Sequence, residues 1–254
     1  MAAVLGRLRP GTKCDHVKPA DAGARIPDGA EIAAYDAVVL TGSPLHLYEQ
    51  APEVARTLDF MRTVFASGVP SFGSCAGLQI AAVAAGGTVR PVNGRHEAGF
   101  ARRIAPTEAG RDHPLLAGRP AAYDAPAIHS DEVERLPDGA ILLAGNAVTA
   151  VQAAEIRQGE AVFWGVQYHP ELSLEEIAIA LRAQADDLIE AGLAEGEADV
   201  TDRADLLDRL QAEPDHAPTR WKLGVGDELA VEANRRREIS NFLAHLETLR
   251  DKAG

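Results

Sequence analysis

The sequence predicts an α/β fold, a mostly parallel sheet flanked by helices, because strand and helix signals alternate along its first part. Asp36–Thr41 is a short apolar run that indicates a buried strand. Ala51–Ala66 repeats apolar residues at helical spacing and has Pro52 near its start, as in an amphipathic helix. Val69–Ser74 then predicts a second strand, and Ala76–Ala85 predicts a second helix that ends at two glycines.

The middle third of the chain has a different pattern, with short strand signals separated by turn residues. Such a pattern indicates a β-rich segment inserted in the α/β framework. After it, Leu174–Ile189 predicts a helix that closes the globular part. The expected strands of the inserted segment are Thr88–Val92, Gly99–Ile104, Ala121–Ile128, Ala140–Ala144, Val151–Ile156 and Ala161–Gln167.

The two ends of the chain depart from the usual order of such folds. Met1–Leu8 indicates the end of a helix, and Cys14–Lys18 is the first candidate strand, so the strand that usually opens the sheet is expected to be missing. We therefore expect one domain over residues 1–189, followed by an acidic helical extension over residues 190–254. The helices predicted in that extension are Ala204–Leu210 and Asp227–Leu249.

The extension is acidic, yet its last helix has an apolar side. From Asp186 onward there are 17 acidic and 9 basic residues, so this part carries −8 of the net charge of −13. Leu229, Phe242 and Leu246 share one side of the last helix, which predicts that this side packs on another surface. We favour a helix that covers an edge or face of the core. The alternative is that this helix, with Arg235–Arg237 before its apolar side, docks a synthetase or a second copy of the chain.

Composition and charge exclude several classes of protein. Hydrophobic residues make up 46% and charged residues 25% of the 254 residues, which is typical of a globular chain. The net charge of −13 disfavours nucleic acid or an anionic membrane as a partner, since phosphates bind Lys and Arg. The uncharged stretch Thr63–Val89 is interrupted by Pro70 and five glycines, so it is not a membrane span. Two cysteines make no disulfide framework, and we expect a cytoplasmic protein.

The segment Gly73-Ser74-Cys75-Ala76-Gly77 lies between a predicted strand and a predicted helix. A nucleophile at such a sharp turn needs glycines around it, because the turn leaves no room for side chains. The helix N-terminus favours the thiolate form of Cys75. The next backbone N–H, that of Ala76, is then free to stabilise an oxyanion. The alternative is a buried structural cysteine in a glycine-rich turn.

A second candidate segment, Gly165–Glu171, ends a strand and precedes a helix. His169 and Glu171 are two residues apart, so in an extended chain their side chains point to the same side. A nucleophilic cysteine needs a base, and the base needs a group that fixes its orientation. His169 can be that base and Glu171 the orienting group. Taken alone, the segment is equally a surface turn in which Glu171 caps the next helix.

The third segment is Thr41-Gly42-Ser43-Pro44, which closes the first strand. Glycine before a small residue lets the backbone approach a ligand, and the Ser43 N–H can serve as a second oxyanion donor. Taken alone, this is a weak motif.

In this order and spacing, the three segments resemble the Cys-His-Glu type of class I glutamine amidotransferase domain. That family has a G-G-P-like loop, a G-x-C-x-G-x-Q turn and a G-x-Q-x-H-P-E segment, and the resemblance covers about residues 35 to 185. The core is most similar to the glutaminase domain of GMP synthases. The matching segments here are Thr41–Pro44, Gly73–Gln79 and Gly165–Glu171.

The resemblance implies a flavodoxin-like fold and a role for each matching residue. Cys75 would attack the side-chain amide of glutamine and form a γ-glutamyl thioester. His169 would protonate the leaving ammonia and then activate water, and Glu171 would hold His169. The N–H groups of Ser43 and Ala76 would form the oxyanion hole. The implied substrate-binding residues are Gly42, Gln79, Gly99, His129 and Ser130, with a structural role as an equal alternative for Glu97, His129 and Asp131.

Two departures from the family pattern bear on these expectations. Ser43 replaces the second glycine of the loop, so serine must tolerate the backbone conformation there. The expected first strand is also missing. GMP synthases follow this core with an ATP-pyrophosphatase domain, and no glycine-rich phosphate loop follows Glu171 here, so we do not expect the chain to make GMP alone.

Three functions remain open from the sequence. The first is a glutamine amidohydrolase, either free or delivering ammonia to a synthetase partner. The second is a hydrolase or peptidase of other γ-glutamyl compounds with the same three residues, and the third is a non-catalytic interaction protein. The intact set of Cys75, His169 and Glu171 favours an enzyme over the third. Thiolate hydrolysis of an amide needs no cofactor, and the eight histidines lack metal-ligand spacing, so no metal is expected.

Overall fold

The computed structural model describes residues 1–92 and 97–253, and a mixed sheet forms its centre. The strands are β1 (Val38–Leu40), β2 (Ser71–Ser74), β3 (Thr88–Pro91), β4 (Glu97–Pro106), β5 (Tyr123–His129), β6 (Asp131–Arg135), β7 (Ile141–Gly145), β8 (Ala153–Gln158) and β9 (Ala161–Val166). Seven of them form one sheet in the order β1-β2-β9-β8-β7-β4-β5, and β3 pairs with β6 separately.

The parallel part of the sheet positions the candidate site. Strands β1 and β9 both pair with β2 in parallel, and the other neighbours in the seven-stranded sheet pair antiparallel. The carboxyl ends of β2 and β9 lie side by side, with Ser74 opposite Val166. Strands β4 to β8 come from the segment that the sequence predicts to be β-rich. The α/β fold with an inserted β segment is therefore confirmed.

Helices cover both faces of this sheet. They are α1 (Ala2–Leu8), α2 (Gly29–Ala33), α3 (Pro52–Ser67), α4 (Ala76–Ala84), α5 (Glu108–Arg111), α6 (Leu174–Ala183), α7 (Ala185–Glu190), α8 (Glu197–Ala212), α9 (Ala217–Leu223), α10 (Asp227–Ala230), α11 (Glu232–Arg235) and α12 (Arg237–Ala253), with a 3₁₀ turn at Pro114–Leu116. No helix in the described ranges is long and apolar enough to cross a membrane.

The alternation of side chains along β9 separates two apolar cores. Phe163 packs in the core that contains α3 and α4, whereas the next residue, Trp164, packs in the core that contains α12. Phe242 of α12 lies on Phe72 of β2, with ring centroids 5.5 Å apart. A third core joins α6 to α8. The C-terminal helices thus pack on the sheet and on α6, while a domain boundary at residue 190 stays a prediction.

The structure corrects one prediction near the N-terminus. Cys14–Lys18 is not a strand, because this segment is charged and largely exposed and has no apolar face to bury. The described residues before Val38 contain no strand, so β1 forms the edge of the sheet. Met1–Leu8 is expected to be helical, and α1 agrees with that.

Two long helices predicted from periodicity are interrupted. The predicted helix Leu174–Ile189 breaks at Gln184, which has φ −110° and ψ 22°. The predicted helix Asp227–Leu249 is three helices, because Val231 is extended (φ −89°, ψ 121°) and Arg236 leaves helical geometry. The Arg235 guanidinium binds the carbonyls at the end of α10 and so stabilises the break. The apolar spacing continues across these short breaks, which is why it predicts single helices.

Three elements have no clear sequence signal. Strand β6 has one apolar residue among Asp131–Arg135, so its alternation is not visible. Helix α9 is short, has Pro218 as its second residue and is capped by the His216 side chain. Helix α2 is a single turn capped by Asp28.

A buried ion pair attaches α12 to the segment before β5. The side chains of Arg119 and Glu238 are 1% and 0% exposed, and they form two hydrogen bonds of 2.7 and 2.8 Å. The Arg119 guanidinium also lies 4.4 Å from the centre of the Tyr123 ring and binds Glu228. Burial of both charges makes the pair costly to break one side at a time.

We predict that Glu238→Ala lowers the free energy of unfolding by about 3 kcal/mol, because it removes the main partner of a buried guanidinium. Urea denaturation measures this change. The matched control is Arg182→Ala, which removes exposed ion pairs with Asp205 and Asp208 and is expected to cost less than about 1 kcal/mol. Equal losses in the two variants would contradict the prediction.

Candidate active site

Cys75 occupies a strained turn between β2 and α4. Its φ is 53° and its ψ −114°, a conformation that costs a non-glycine residue about 1–3 kcal/mol. The turn closes because Gly73 and Gly77 lack side chains: a Cβ on Gly73 would lie 2.7 Å from the carbonyl carbon of Gly77, and one on Gly77 would lie 2.8 Å from the carbonyl oxygen of Leu40. The Cys75 N–H donates to the carbonyl of Val166 on β9 at 2.8 Å.

His169 and Glu171 follow the neighbouring strand and meet beside Cys75. The Nδ1 atom of His169 lies 2.8 Å from Oε1 of Glu171, and both residues are buried. The same carboxylate oxygen accepts a hydrogen bond from the Ser74 hydroxyl at 2.8 Å, so β2 and the segment after β9 are joined behind the thiol. Since Nδ1 is hydrogen-bonded to Glu171, Nε2 is the ring nitrogen available for the hydrogen bond between His169 and Cys75.

The charges of this pair reinforce each other. Burial alone would lower the pKa of His169, but the Glu171 carboxylate and the hydrogen bond with Cys75 outweigh it and raise that pKa well above its ordinary value. Burial alone would raise the pKa of Glu171, but the His169 charge and its hydrogen bonds, including the one from Ser74, lower it. Both shifts favour the charged forms of the pair, an imidazolium and a carboxylate.

Two backbone N–H groups are free next to the thiol. Those of Ser43 and Ala76 donate hydrogen bonds to no described residue. Ser43 has no positive φ, unlike Cys75 and Arg103, so serine fits at this loop position without strain. The Ser43 hydroxyl accepts from the N–H of Leu45 and supports the loop. The donors expected for an oxyanion hole are thus available, and their role stays a prediction.

Cys75 lines a cavity of about 650 Å³. Four of the residues predicted for the oxyanion hole or the substrate line it too: Ser43, Gln79, His129 and Ser130. Part of its lining comes from α7, through Asp187, Leu188 and Glu190.

Gly42, Ala76 and Gly99 do not line this cavity. A Cβ on Gly42 would lie 3.1 Å from Cε1 of His169, so glycine leaves room for the imidazole ring. Gly99 has φ +89° and faces Arg203 and Leu181 instead. Gly42 thus supports His169, whereas Gly99 is placed away from the thiol.

Polar residues that line the cavity are largely bound to each other or to neighbouring groups. The two ring nitrogens of His129 contact Glu97 at 2.8 Å and the carbonyl of Asp131 at 3.0 Å. The Gln79 amide nitrogen donates to that same carbonyl at 2.8 Å and to Gln167. These contacts favour a structural contribution from Glu97 and His129, the alternative that the sequence left open.

The model of the family described as glutamine amidotransferase class-I matches residues 10–184, more than half of the chain. The chain belongs to the class I glutamine amidotransferase family. The resemblance of its three motifs to that family is confirmed, and the enzyme class is that of the family. The hydrolysis of glutamine or another γ-glutamyl amide predicted from the sequence agrees with this membership.

Relatives with named activities match to different extents. The chain is 39% identical over 231 residues to a gamma-glutamyl-L-1-hydroxyisopropylamide hydrolase of Pseudomonas sp, and the match covers 90% of this chain and 77% of that protein. It is 35% identical over 136 residues to one subunit of the glutamine-hydrolysing GMP synthase of Methanoculleus marisnigri, covering 54% of this chain and 65% of that relative. The match to the GMP synthase of Thermomicrobium roseum spans 23% of that protein.

Solved structures support the fold alone. A glutamine amidotransferase of Thermotoga maritima superposes with a TM-score of 0.59 at 19% identity, over 84% of this chain and 78% of that one. This agrees with the predicted α/β amidotransferase fold.

Two further residues lie at the site without having been predicted from the sequence. Gln167 donates its side-chain amide toward the Cys75 sulfur, 3.7 Å away. It precedes His169 by two, so the spacing that placed Glu171 beside His169 could have indicated it as well. His46 lines the cavity and contacts Asp131 at 2.7 Å, 85 residues away in sequence, and no local pattern predicts that contact. Among the described residues, no cluster of three or more potential metal ligands occurs.

We predict that Glu171→Gln moves the alkaline limb of the kcat/KM pH profile to lower pH. The carboxylate raises the pKa of His169, so removal of its charge lets the imidazolium lose its proton at lower pH. The loss in kcat should be about 10²–10⁴-fold, the usual contribution of an oriented acid–base group. The profile is measured with the γ-glutamyl amide that the protein hydrolyses fastest.

The control for this prediction is Ser74→Ala. It removes one hydrogen bond to Glu171 but keeps the carboxylate charge, so its alkaline limb should stay near that of the wild type. An unchanged alkaline limb in Glu171→Gln would show that Glu171 does not set the protonation of His169.

Proposed function

We propose that the protein hydrolyses the amide bond of a γ-glutamyl compound of a small organic amine, releasing glutamate and the amine. The observation that supports this most is the arrangement around Cys75: it lines the cavity from a strained turn, and His169 with its hydrogen-bonded partner Glu171 lies beside it. This combination is typical of acyl transfer through a thioester.

The first half of the reaction forms the thioester. The Cys75 thiolate attacks the γ-carbonyl carbon, and the N–H groups of Ser43 and Ala76 stabilise the oxyanion that forms. As the carbon–nitrogen bond breaks, the proton on Nε2 of His169 passes to the leaving amine. Glu171 keeps the imidazole oriented through Nδ1 at 2.8 Å. The raised pKa of His169 suits this step, because it favours the protonated ring from which the leaving amine takes its proton.

The second half releases glutamate. His169, now neutral, takes a proton from a water molecule that attacks the thioester carbon. The same two N–H groups stabilise the second oxyanion. The bond to sulfur then breaks, which returns the Cys75 thiolate and leaves the proton on His169. No group outside the chain, the substrate and water is used.

Two observations favour an organic amine over ammonia as the leaving group. The similarity to the hydroxyisopropylamide hydrolase covers 90% of the chain and includes C-terminal helices, whereas the GMP synthase matches cover about half of it. The cavity has a volume of about 650 Å³, which is in the range of protein pockets that bind ligands larger than an amino acid. Residues of α7 contribute to its lining.

Glutamine hydrolysis with transfer of ammonia to a synthetase is the second candidate. It is supported by the similarity to one subunit of a GMP synthase, since a relative of that kind works together with another chain. In either case we propose a cytoplasmic setting, because both cysteines are free and a reducing compartment keeps the Cys75 thiol available.

We predict glutamate release from γ-glutamyl amides of small amines at a kcat/KM at least about tenfold above that for glutamine, a difference of about 1.4 kcal/mol in transition-state stabilisation. The measurement is a panel of γ-glutamyl alkylamides, γ-glutamyl dipeptides and glutamine, with Cys75→Ala as the control for contaminating activity. Cys75→Ala should lose all turnover.

Each pattern of results decides between the candidates. A preference for glutamine would overturn the organic-amine proposal and favour ammonia delivery. Activity that persists in Cys75→Ala would overturn the mechanism. If no compound of the panel, glutamine included, releases glutamate, the proposal that the isolated chain is an active γ-glutamyl hydrolase is overturned.

A further inference from the structure

The residues on both sides of His169 are hydrogen-bonded to residues 232–253, called here the C-terminal segment. This segment lies outside residues 10–184, the part of the chain that the family model matches. Tyr168 donates its hydroxyl to Oε1 of Glu238 at 2.9 Å. Arg236 donates from Nη1 to the carbonyl oxygen of Pro170 at 2.7 Å. Both donor–acceptor pairs are buried, so water does not compete with them.

Arg236 is an unusual residue to find buried. It is 2% exposed, and its carboxylate neighbour, Glu232, lies 3.4 Å away on the same segment with a half-exposed side chain. Burying a guanidinium costs free energy that an apolar side chain of similar length would not. The short hydrogen bond across to Pro170 is the contact that an apolar side chain could not make.

The Pro170 carbonyl belongs to the peptide unit from which Glu171 extends. Fixing this oxygen fixes the rotation of the peptide plane and thereby the starting direction of the Glu171 side chain. On the other side, the His169 N–H donates to the carbonyl of Pro126 at 2.7 Å. Each residue from 168 to 171 thus makes a hydrogen bond, and Arg236 makes the one next to the Glu171 carboxylate.

We propose that Arg236 is a positioning residue for the reaction: through the Pro170 carbonyl it keeps the Glu171 carboxylate on Nδ1 of His169, and so keeps Nε2 aimed at Cys75. The inference rests on the proposed function of these three residues. It makes the C-terminal segment part of the catalytic unit, although none of the described residues of this segment lines the cavity.

The test compares Arg236→Met with Arg235→Met in the full-length protein. Arg235 is equally buried, at 2% exposed, but its described contacts are the carbonyls of Leu229 and Ala230 and the side chain of Gln211, all away from the catalytic segment. Each variant therefore loses a buried guanidinium, and Arg236→Met alone loses the bond to Pro170. Arg236→Lys adds a partial rescue, since an ammonium can donate a single hydrogen bond to the same oxygen.

The expected result is a separation of kcat from KM. Arg236→Met should lower kcat about 10- to 100-fold, because a misplacement of about 1 Å has effects of this size, with KM changed less than about threefold. Arg235→Met should keep kcat within about threefold of the wild type, and Arg236→Lys should lie between. Equal kcat in the two Met variants, or an equal fall in both, would overturn the proposal.

A second measurement does not depend on the substrate. Alkylation of Cys75 by iodoacetamide, followed against pH, reports the thiol and its imidazole partner directly. In Arg236→Met and Arg236→Lys the pH dependence should shift from that of the wild type, and in Arg235→Met it should not. If the wild type hydrolyses no γ-glutamyl amide, the proposed function fails while this profile still decides the role of Arg236. If Arg236→Met does not fold, Arg236→Lys decides it, and an unshifted profile there would overturn the proposal.

Discussion

The strained turn at Cys75 is the constraint on which the rest of the site depends. A cysteine at φ 53° and ψ −114° persists only where its surroundings determine the conformation. Here they do so from three sides: Gly73 lets β2 approach α4, Gly77 lets α4 approach Leu40 of β1, and the Cys75 N–H is bound to β9. The turn also leaves the Ala76 N–H without an acceptor among the described residues, which is the property that oxyanion stabilisation needs.

A second constraint follows from the parallel pairing of β2 with β9. The two strands end at the same edge of the sheet, so Cys75 after β2 and His169 after β9 meet although they lie far apart in sequence. The Ser74 hydroxyl and the Glu171 carboxylate then join the two segments behind the thiol. The C-terminal helices add support from the opposite face, where α12 packs on Phe72 and Trp164. Fold and site are therefore stabilised by shared contacts.

The sequence predicted the parts of this arrangement that depend on local pattern. The glycines around Cys75, the two-residue spacing of His169 and Glu171, and the apolar runs of β1 and β2 are local, and each is found where it was expected. The contacts missed are long-range. The bond from Arg236 to Pro170 joins residues 66 positions apart, and a run of three arginines gives no sign of which one binds the segment after β9. Helix breaks at Gln184 and Val231 were missed because apolar spacing persists across them.

The most direct test of the account is detection of the covalent intermediate. The protein is mixed with a γ-glutamyl alkylamide, quenched with acid during turnover and examined by intact mass and peptide mapping. The account predicts a mass increase of one γ-glutamyl group on the peptide that contains Cys75, and none in Cys75→Ala. Steady turnover that depends on Cys75 without any such adduct, or an adduct at another residue, would contradict it.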